Sequence, residues 1–409
     1  MDIFATALGV DAPWFISDKR FDLEAKRLDV WIDFRKGSKF PLHEGGEEWP
    51  VYDTEEKVWR HLNFFQHECH LHIRVPRVRT DDGRTLTVLP PWAGKMLGFT
   101  LLFEALLIEL CRNMPIRHVA KLVNVSEKKL WHMLKVYVYG AQENDDCEEV
   151  TQVGMDETSV AKGHSYITLF VDLAKRRTLL VAEGKGSETV QEFAQNLKDR
   201  GGDPARISDV SCDMSPAFIK GVRENLPQAA ITFDKFHIIK IINEAVDKIR
   251  RDEAITNPLL RKARYVFLKN DANLTAKQRQ KKEELQVADL NLRSMEALRM
   301  RETFQQIYNA ASAPEFVELL KQWLQWVKNS SLKAMHKAAQ MVEDHWSGIV
   351  NWHSSRLNNA ILEGLNSVLQ AAKRKARGYS PRNFAIIALL LTGKLNLSKI
   401  NPHLPTRFA

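Results

Sequence analysis

Residues 151–160 read TQVGMDETSV, and the fold turns on how this stretch is read. Val153 and Met155 alternate as the inward residues of a strand, yet Asp156 and Glu157 follow where that strand should be deepest. A carboxylate removed from water is costly unless it is paired, solvated or bound to a cation. The rest of the chain has to supply one of these.

Downstream, YITLFVDLAKRRTLLVAEG (166–184) reads as β-like runs, followed by a helix from about Ser187 to Leu197. ISDVSCDMS (207–215) reads as a strand ending in Asp213, then a helix to Asn225, then AAITFDKFH (229–237) as another strand. Strands alternating with helices predict a mixed α/β sheet. From about Ile239 to Trp352 the pattern is helical and heavily charged, with basic clusters at Lys248, Arg250 and Arg251 and at Arg261, Lys262 and Arg264. RLNNAILEGLNSVLQAAKRKARG (356–378) is a last helical stretch carrying Glu363.

Upstream, residues 20–95 alternate in strand fashion, as in RLDVWIDFR and HLHIRVPRVRT, with turns at Gly45-Gly46 and Asp81-Asp82-Gly83. After Pro90-Pro91 three helical segments follow, FTLLFEALLIELCRN, MPIRHVAKLVNV and SEKKLWHMLKVYVYG, with Ser126 placed to cap the third. Such a unit is either a small helical linker or a helix-turn-helix, whose last helix would present Lys128, Lys129, Trp131, His132 and Lys135 to a DNA groove. Glu143 to Glu149 is an acidic linker. The fold class expected is a multidomain α+β and α/β protein.

Its 409 residues with 44% hydrophobic content suit two or three globular domains. A formal net charge of +8, from 59 Lys and Arg against 51 Asp and Glu, favours a polyanionic partner. Cys69, Cys111, Cys147 and Cys212 form no Cys-x-x-Cys pair, which argues against a zinc ribbon or disulfide scaffold and suits a reducing cytosol. MDIFATALGV lacks a basic stretch before its apolar residues, and no run of about 18 uncharged apolar residues follows; a cytoplasmic protein is expected. GKGSETV lacks the spacing of a phosphate loop and reads as a turn with Ser187 capping a helix.

Asp156, Asp213 and Glu363 make a candidate site. They lie 57 (213 − 156) and 150 (363 − 213) residues apart, on a strand, at the end of a strand and on a helix. Ligands of open α/β sheets gather at the carboxyl ends of strands, so the first two can meet there. Three converging carboxylates raise one another's pKa, but two Mg²⁺ ions about 3.5 to 4 Å apart convert that repulsion into ligation. Taken singly, Asp156 closes a turn, Asp213 caps the helix near Ser215, and Glu363 pairs with Arg356 or Lys373. Asp234 competes with Asp213 as second ligand, and His237 is a supporting residue.

At these residues the sequence resembles the transposases of the ISL-three insertion-sequence group, members of the Asp-Asp-Glu (DDE) superfamily. The resembling blocks are GMDETSVAKGHSYITLFVDL, SDVSCDMSPAFIKGV, ITFDKFHIIKIINEAVDKIRR and SSRLNNAILEGLNSVLQAAKRKARGYSPRNF, with VYDTEEKVWRHLNFFQHECHLHIRVPRVR and GFTLLFEALLIELCRNMPIRHVAKLVNV upstream. The resemblance implies a β-rich module over 1–95, a helix-turn-helix domain over 96–142 and a ribonuclease H-like core over 150–242 and 351–400, interrupted by a helical insertion over 243–350. It implies Asp156, Asp213 and Glu363 as catalytic ligands for two Mg²⁺, with Mn²⁺ as a substitute. It implies nicking and strand transfer on terminal inverted repeats and target DNA, by a homodimer or larger assembly in bacterial cytoplasm, on the nucleoid when bound. Family members usually begin with a zinc module of cysteine pairs; FPLHEGGEEWP and RVRTDDGRT offer no cysteines there, only His43, so zinc is not expected.

Two other readings stay open: a domesticated, inactive DNA-binding protein using the helix-turn-helix alone, and a nuclease of the same fold that never joins ends. HECHLH (67–72) brings His67, Cys69, His70 and His72 close, but strand alternation divides them between faces. Lys373, Arg374, Lys375 and Arg377 are candidates to hold DNA backbone, with a solvated helix end as the alternative. Trp323, Trp326, Trp346 and Trp352 read as core, with base stacking by one of them the alternative.

Overall fold

The computed structural model describes residues 3–42, 46–96, 98–161, 165–287, 292–357 and 360–405. The chain divides into two units, Met1–Asp145 with Leu369–Ala409, and Asp146–Val368.

In the first unit, α1 (Ile3–Leu8) precedes strands β1 (Trp14–Asp22), β2 (Arg27–Phe34), β3 (Lys39–Pro41), β4 (Glu48–Phe64), β5 (His67–Arg79) and β6 (Thr85–Thr87). The alternation in RLDVWIDFR is realised directly: Leu28, Val30, Ile32 and Phe34 are buried and their neighbours half-buried. Strand order is β1-β2-β5-β4-β3, with β6 also on β5. β2 and β5 are parallel and the other pairs antiparallel. Trp14, Phe34 and Phe40 meet in the core with ring centroids 5.7, 5.4 and 5.2 Å apart. Of the turn expected at Gly45-Gly46, Gly45 lies outside the described residues.

Helices α2 (Leu101–Asn113), α3 (Ile116–Leu122) and α4 (Glu127–Glu143) follow. Thr100 caps α2 by accepting from the Phe103 N–H at 3.3 Å, and Ser126 caps α4, as expected, by accepting from the Lys129 N–H at 3.4 Å. The apolar faces of α2 and α4 are buried, among them Phe103, Leu107, Leu130 and Met133. Glu104 lies there too, at 0% exposure. Its carboxylate accepts from the Tyr137 hydroxyl (2.5 Å) and from the Met96 (2.7 Å) and Lys95 (2.9 Å) N–H groups, so the enclosed acid has three donors.

The second unit is built on β7 (Gln152–Ala161), β8 (Ser165–Asp172) and β9 (Arg177–Glu183), then α5 (Glu188–Asp199), β10 (Asp209–Cys212), α6 (Pro216–Asn225), β11 (Ala230–Phe233) and α7 (Lys235–Glu253). Strand order is β11-β10-β7-β8-β9. β7, β8 and β9 run antiparallel in succession, whereas β10 and β11 run parallel to β7 on its other side. Val153 and Met155 enter a core with Phe170, Phe193 and Phe218, in which Phe170 and Phe193 stack at 4.6 Å. The helical stretch continues as α8 (Arg264–Leu268), α9 (Ala276–Val287), α10 (Arg293–Ile307), α11 (Ala313–Asn329), α12 (Lys333–Asp344) and α13 (Trp346–Ser355). Of the four tryptophans read as core, Trp323 is fully buried, with Nε1 donating to the Met300 carbonyl at 2.8 Å. Trp326, Trp346 and Trp352 pack half-buried against the same core.

α14 (Ala360–Ala376) begins in the second unit and its last turns belong to the first, as does α15 (Pro381–Thr392). Most of α15 is buried, as expected for FAIIALLLTG. No helix among the described residues is long and apolar enough to cross a membrane. All four cysteines are buried, which pushes the Cys69 thiol up to about 11 and that of Cys111 up to about 12.

Two local expectations are corrected. The strand expected over AAITFDKFH stops at Phe233, because the Asp234 carboxylate accepts from the Phe236 N–H at 3.1 Å and so starts α7, which puts His237 in a helix. Ser187 precedes α5 but makes no side-chain cap, since its own backbone is already helical (φ −62°, ψ −24°).

Candidate active site

Asp156 follows Gly154 by two residues on β7, so the two share one face of the strand with Thr158. That face is covered by α14. A Cβ on Gly154 would sit 2.7 Å from Leu362 and 2.8 Å from Leu173, so the missing side chain is what lets the helix approach this closely. Leu362 packs there with Val171 and Leu173. One turn further along α14, the Asn366 amide donates to Asp156 Oδ2, and the Thr158 hydroxyl donates to Asn366 Oδ1 at 2.9 Å. The Glu157 N–H donates to Asp156 Oδ1 at 2.9 Å.

The neighbouring strands bring two more carboxylates. Ser211 is opposite Gly154, and Cys212 is opposite Phe233. Carrying both registers forward sets Asp156, Asp213 and Asp234 in a row across β7, β10 and β11. Asp213 Oδ1 accepts from the Ser215 N–H at 2.9 Å; Asp234, 5% exposed, caps α7 and lies 3.9 Å from His237 Nε2. Burial, reinforced by the charges of Asp213 and Asp234, pushes the Asp156 carboxyl up to about 6. The Glu157 N–H and His237 oppose that rise.

Asp156 and Asp213 are thus brought together, with Asp234 and His237 beside them. Glu363 stands apart from this row: it is exposed on the first turn of α14, and the residue of that helix that touches Asp156 is Asn366. Leu362 faces the sheet, and the next residue along a helix is turned about 100° from it, so Glu363 lies on the flank. Among the described residues no group of three or more His, Cys, Asp or Glu side chains is arranged to hold a metal ion. The donor set of the row is nonetheless all oxygen, the kind that Mg²⁺ and Mn²⁺ prefer, and its crowded negative charge suits a divalent cation.

On α4, Lys128, His132 and Lys135 are exposed at i, i+4 and i+7, opposite the buried face. Lys129 is exposed with its ammonium 5.4 Å from the centre of the Phe99 ring. Trp131, expected beside them, is half-buried and stands edge-on to Tyr379 at 5.9 Å. At the end of α14, Arg374 and Arg377 are exposed, Lys373 is half-buried, and Lys375 donates to the Asn113 carbonyl at 2.7 Å, capping the end of α2.

HECHLH lies on β5 with Cys69 buried; His70 approaches Glu68 (3.4 Å), and His72 meets Asp29 (2.5 Å) and stacks on Trp31. His70 and His72 are thus engaged locally, in keeping with the strand alternation, while the buried Nδ1 of His67 has no hydrogen-bond partner among the described residues. His43 lies outside the described residues. The sequence alone does not single out Asn366 or Thr158; the one signal is the place of Asn366 one turn beyond Leu362 and Glu363.

A family model described as a transposase matches residues 153–388, more than half of the chain, and one described as the helix-turn-helix domain of transposase family ISL3 matches residues 89–138. The chain is 25% identical over 353 residues to the transposase for insertion sequence element IS1001 of Bordetella parapertussis, covering 83% of this chain and 85% of that protein. It is 24% identical over 441 residues to the transposase for insertion sequence element IS1557 of Mycobacterium tuberculosis, covering 99% of this chain and 97% of that protein.

Proposed function

The chain belongs to transposase family ISL3, DNA-binding enzymes that cleave DNA and transfer strands, and from that premise we propose that it moves its own insertion sequence by Mg²⁺-dependent phosphoryl transfer at Asp156, Asp213 and Glu363. The observation that carries this reading is the row of carboxylates at Asp156, Asp213 and Asp234, with the Glu363 helix held against the first of them by Asn366. A ribonuclease H-like core is supported by three antiparallel strands followed by two parallel ones on the far side of the first. Residues 1–95 serve as a β-rich module, 96–142 as the DNA-binding helix-turn-helix, 150–242 with 351–400 as the catalytic core and 243–350 as its helical insertion.

Asp156, Asp213 and Glu363 would hold the divalent ions, which when bound supply Lewis acidity to the phosphodiester and a lowered pKa to an attacking water or 3′-hydroxyl. The protein's own share is orientation. Asn366 and Thr158 fix the carboxylate plane of Asp156, the Ser215 N–H fixes Asp213, and His237 offsets part of the negative charge. Asp156 must give up its proton at Oδ1 or Oδ2 before it can act as a ligand. Lys128, Lys129, His132 and Lys135 contact the terminal inverted repeats, and Arg374 and Arg377 the backbone, in a homodimer or larger assembly that pairs two ends in the bacterial cytoplasm.

Single substitutions Asp213→Asn, Asp234→Asn and Glu363→Gln test the ligand set on an end-labelled inverted-repeat duplex. Asp213→Asn and Glu363→Gln are expected to lower nicking at least ~10³-fold with duplex binding retained, and Asp234→Asn by less than ~10-fold. Nicking that survives Glu363→Gln, or a larger loss at Asp234 than at Asp213, reassigns the site.

A further inference from the structure

The turn that carries Asp234 and His237 towards Asp156 also forms one wall of a cavity, to which Asp234 contributes together with the two residues that follow it. Lys235 and Phe236 line this cavity of about 850 Å³, which is reached by α10 and by Trp352 of α13. Its size falls in the range of pockets that enclose one small molecule, so a duplex is excluded and a single nucleotide fits.

Two cations, Lys235 and Arg301, line the cavity with three carboxylates, of which Asp234 is engaged as the cap of α7, accepting from the Phe236 N–H. Arg301 is 1% exposed, yet its guanidinium donates only to neutral acceptors, the carbonyls of Phe267 and Lys269 and the side-chain oxygens of Asn270 and Gln305. Its Nε has no hydrogen-bond partner among the described residues, and neither has Trp352 Nε1. Lys235 rests over the rings of Tyr308 (4.3 Å) and Trp352 (5.7 Å), with no carboxylate within ion-pair distance among the described residues. Of the three lining carboxylates, the other two, Asp271 and Glu302, are both held by Lys282, at 2.7 and 2.8 Å. Unmet buried donors and cations are costly unless an acceptor or anion arrives.

Phe236 is the aromatic left open. It is 55% exposed at the rim, whereas Trp323, Trp326, Trp346 and Trp352 are buried or half-buried. A planar apolar face beside unmatched positive charge is the arrangement that takes a base and its phosphate.

Resting on the active site assigned above, we propose that this cavity receives one nucleotide turned out of the DNA strand beside the bond being cut, with its base on Phe236 and its phosphate met by Lys235 and Arg301. A base leaving the stack loses its neighbours, and the aromatic face replaces them.

The test uses the full chain with Mg²⁺ and inverted-repeat duplexes carrying a single abasic site at each position around the cleaved bond in turn. On the intact duplex, Phe236→Ala is expected to slow cleavage about 5- to 100-fold, the range of one base–aromatic stack, and Phe236→Tyr to restore it. At one abasic position alone the ratio of wild type to Phe236→Ala should fall to about 1, because no base is left there to be stacked. In the catalytically dead Asp156→Asn protein, a thymine at that position should become reactive to permanganate on binding. A ratio that stays constant at every position, with no thymine exposed, overturns the pocket. Full cleavage by Asp156→Asn would instead overturn the active-site assignment while leaving the abasic scan to stand or fall by itself.

Discussion

Each unit of the molecule draws a carboxylic acid away from water, Glu104 completely and Asp156 in part, and the two are accommodated in opposite ways. Glu104 in the first unit is ringed by neutral donors, two N–H groups and the Tyr137 hydroxyl, and Asn401 continues the network by donating to that hydroxyl at 3.1 Å. Asp156 in the second has an amide and one N–H, and acids stand beside it. Burial pushes both carboxyls up. The difference is what would relieve each: Glu104 already has its donors and holds structure together, whereas Asp156 has no ion-pair partner among the described residues and is disposed to accept a positive charge.

The sharpest way to break this contrast is activity. Asp156→Asn should cut nicking at least ~10³-fold, equivalent to about 4 kcal/mol, while Glu104→Gln leaves the rate per folded molecule unchanged; equal losses at both positions would erase the distinction. Stability should run the other way. Glu104→Ala leaves the Tyr137 hydroxyl and two N–H groups without their acceptor, and urea unfolding should record a loss of about 3 kcal/mol in the first unit.

The pH response of Asp156 follows from its sign. Its folded-state pKa, about 6, lies above the ordinary 3.8, so its contribution to stability is complete below about 4 and is lost as pH rises through 6. In EDTA at about pH 7.5, Asp156→Asn should therefore stabilise the second unit by about 2 kcal/mol, an advantage that vanishes at about pH 4 and shrinks when Mg²⁺ is added. Thermal melts at the two pH values check it. The smallest effect belongs to the surface of α4: replacing Lys128 and Lys135 by Ala should reduce the salt slope of duplex binding by about 2 and weaken it about 10-fold, with cleavage at saturation intact.

Much of this contrast is legible in the sequence, though unevenly. Asp156 stands out because a charge interrupts an apolar strand, and Asp213 because it ends one. The three helices ending in α4 are readable from periodicity and from Ser126. Asp234 reads wrongly as a strand residue because a capping aspartate and a strand-end aspartate look alike until the helix behind it is seen. Asn366 is invisible for a different reason. Which side of α14 meets β7 depends on the clearance that Gly154 leaves beneath Leu362, a matter of packing that helical periodicity does not encode. Trp131 reads as part of the exposed face for want of the same knowledge, its partner Tyr379 lying 248 residues (379 − 131) away.

The burial of all four cysteines has a practical consequence. Thiols shut away from solvent react slowly with maleimides, so the native chain offers a quiet background for fluorophore attachment. One cysteine placed at Lys128 and another at Lys198, both on the surface, would report by energy transfer on the separation of the two dyes as DNA is engaged.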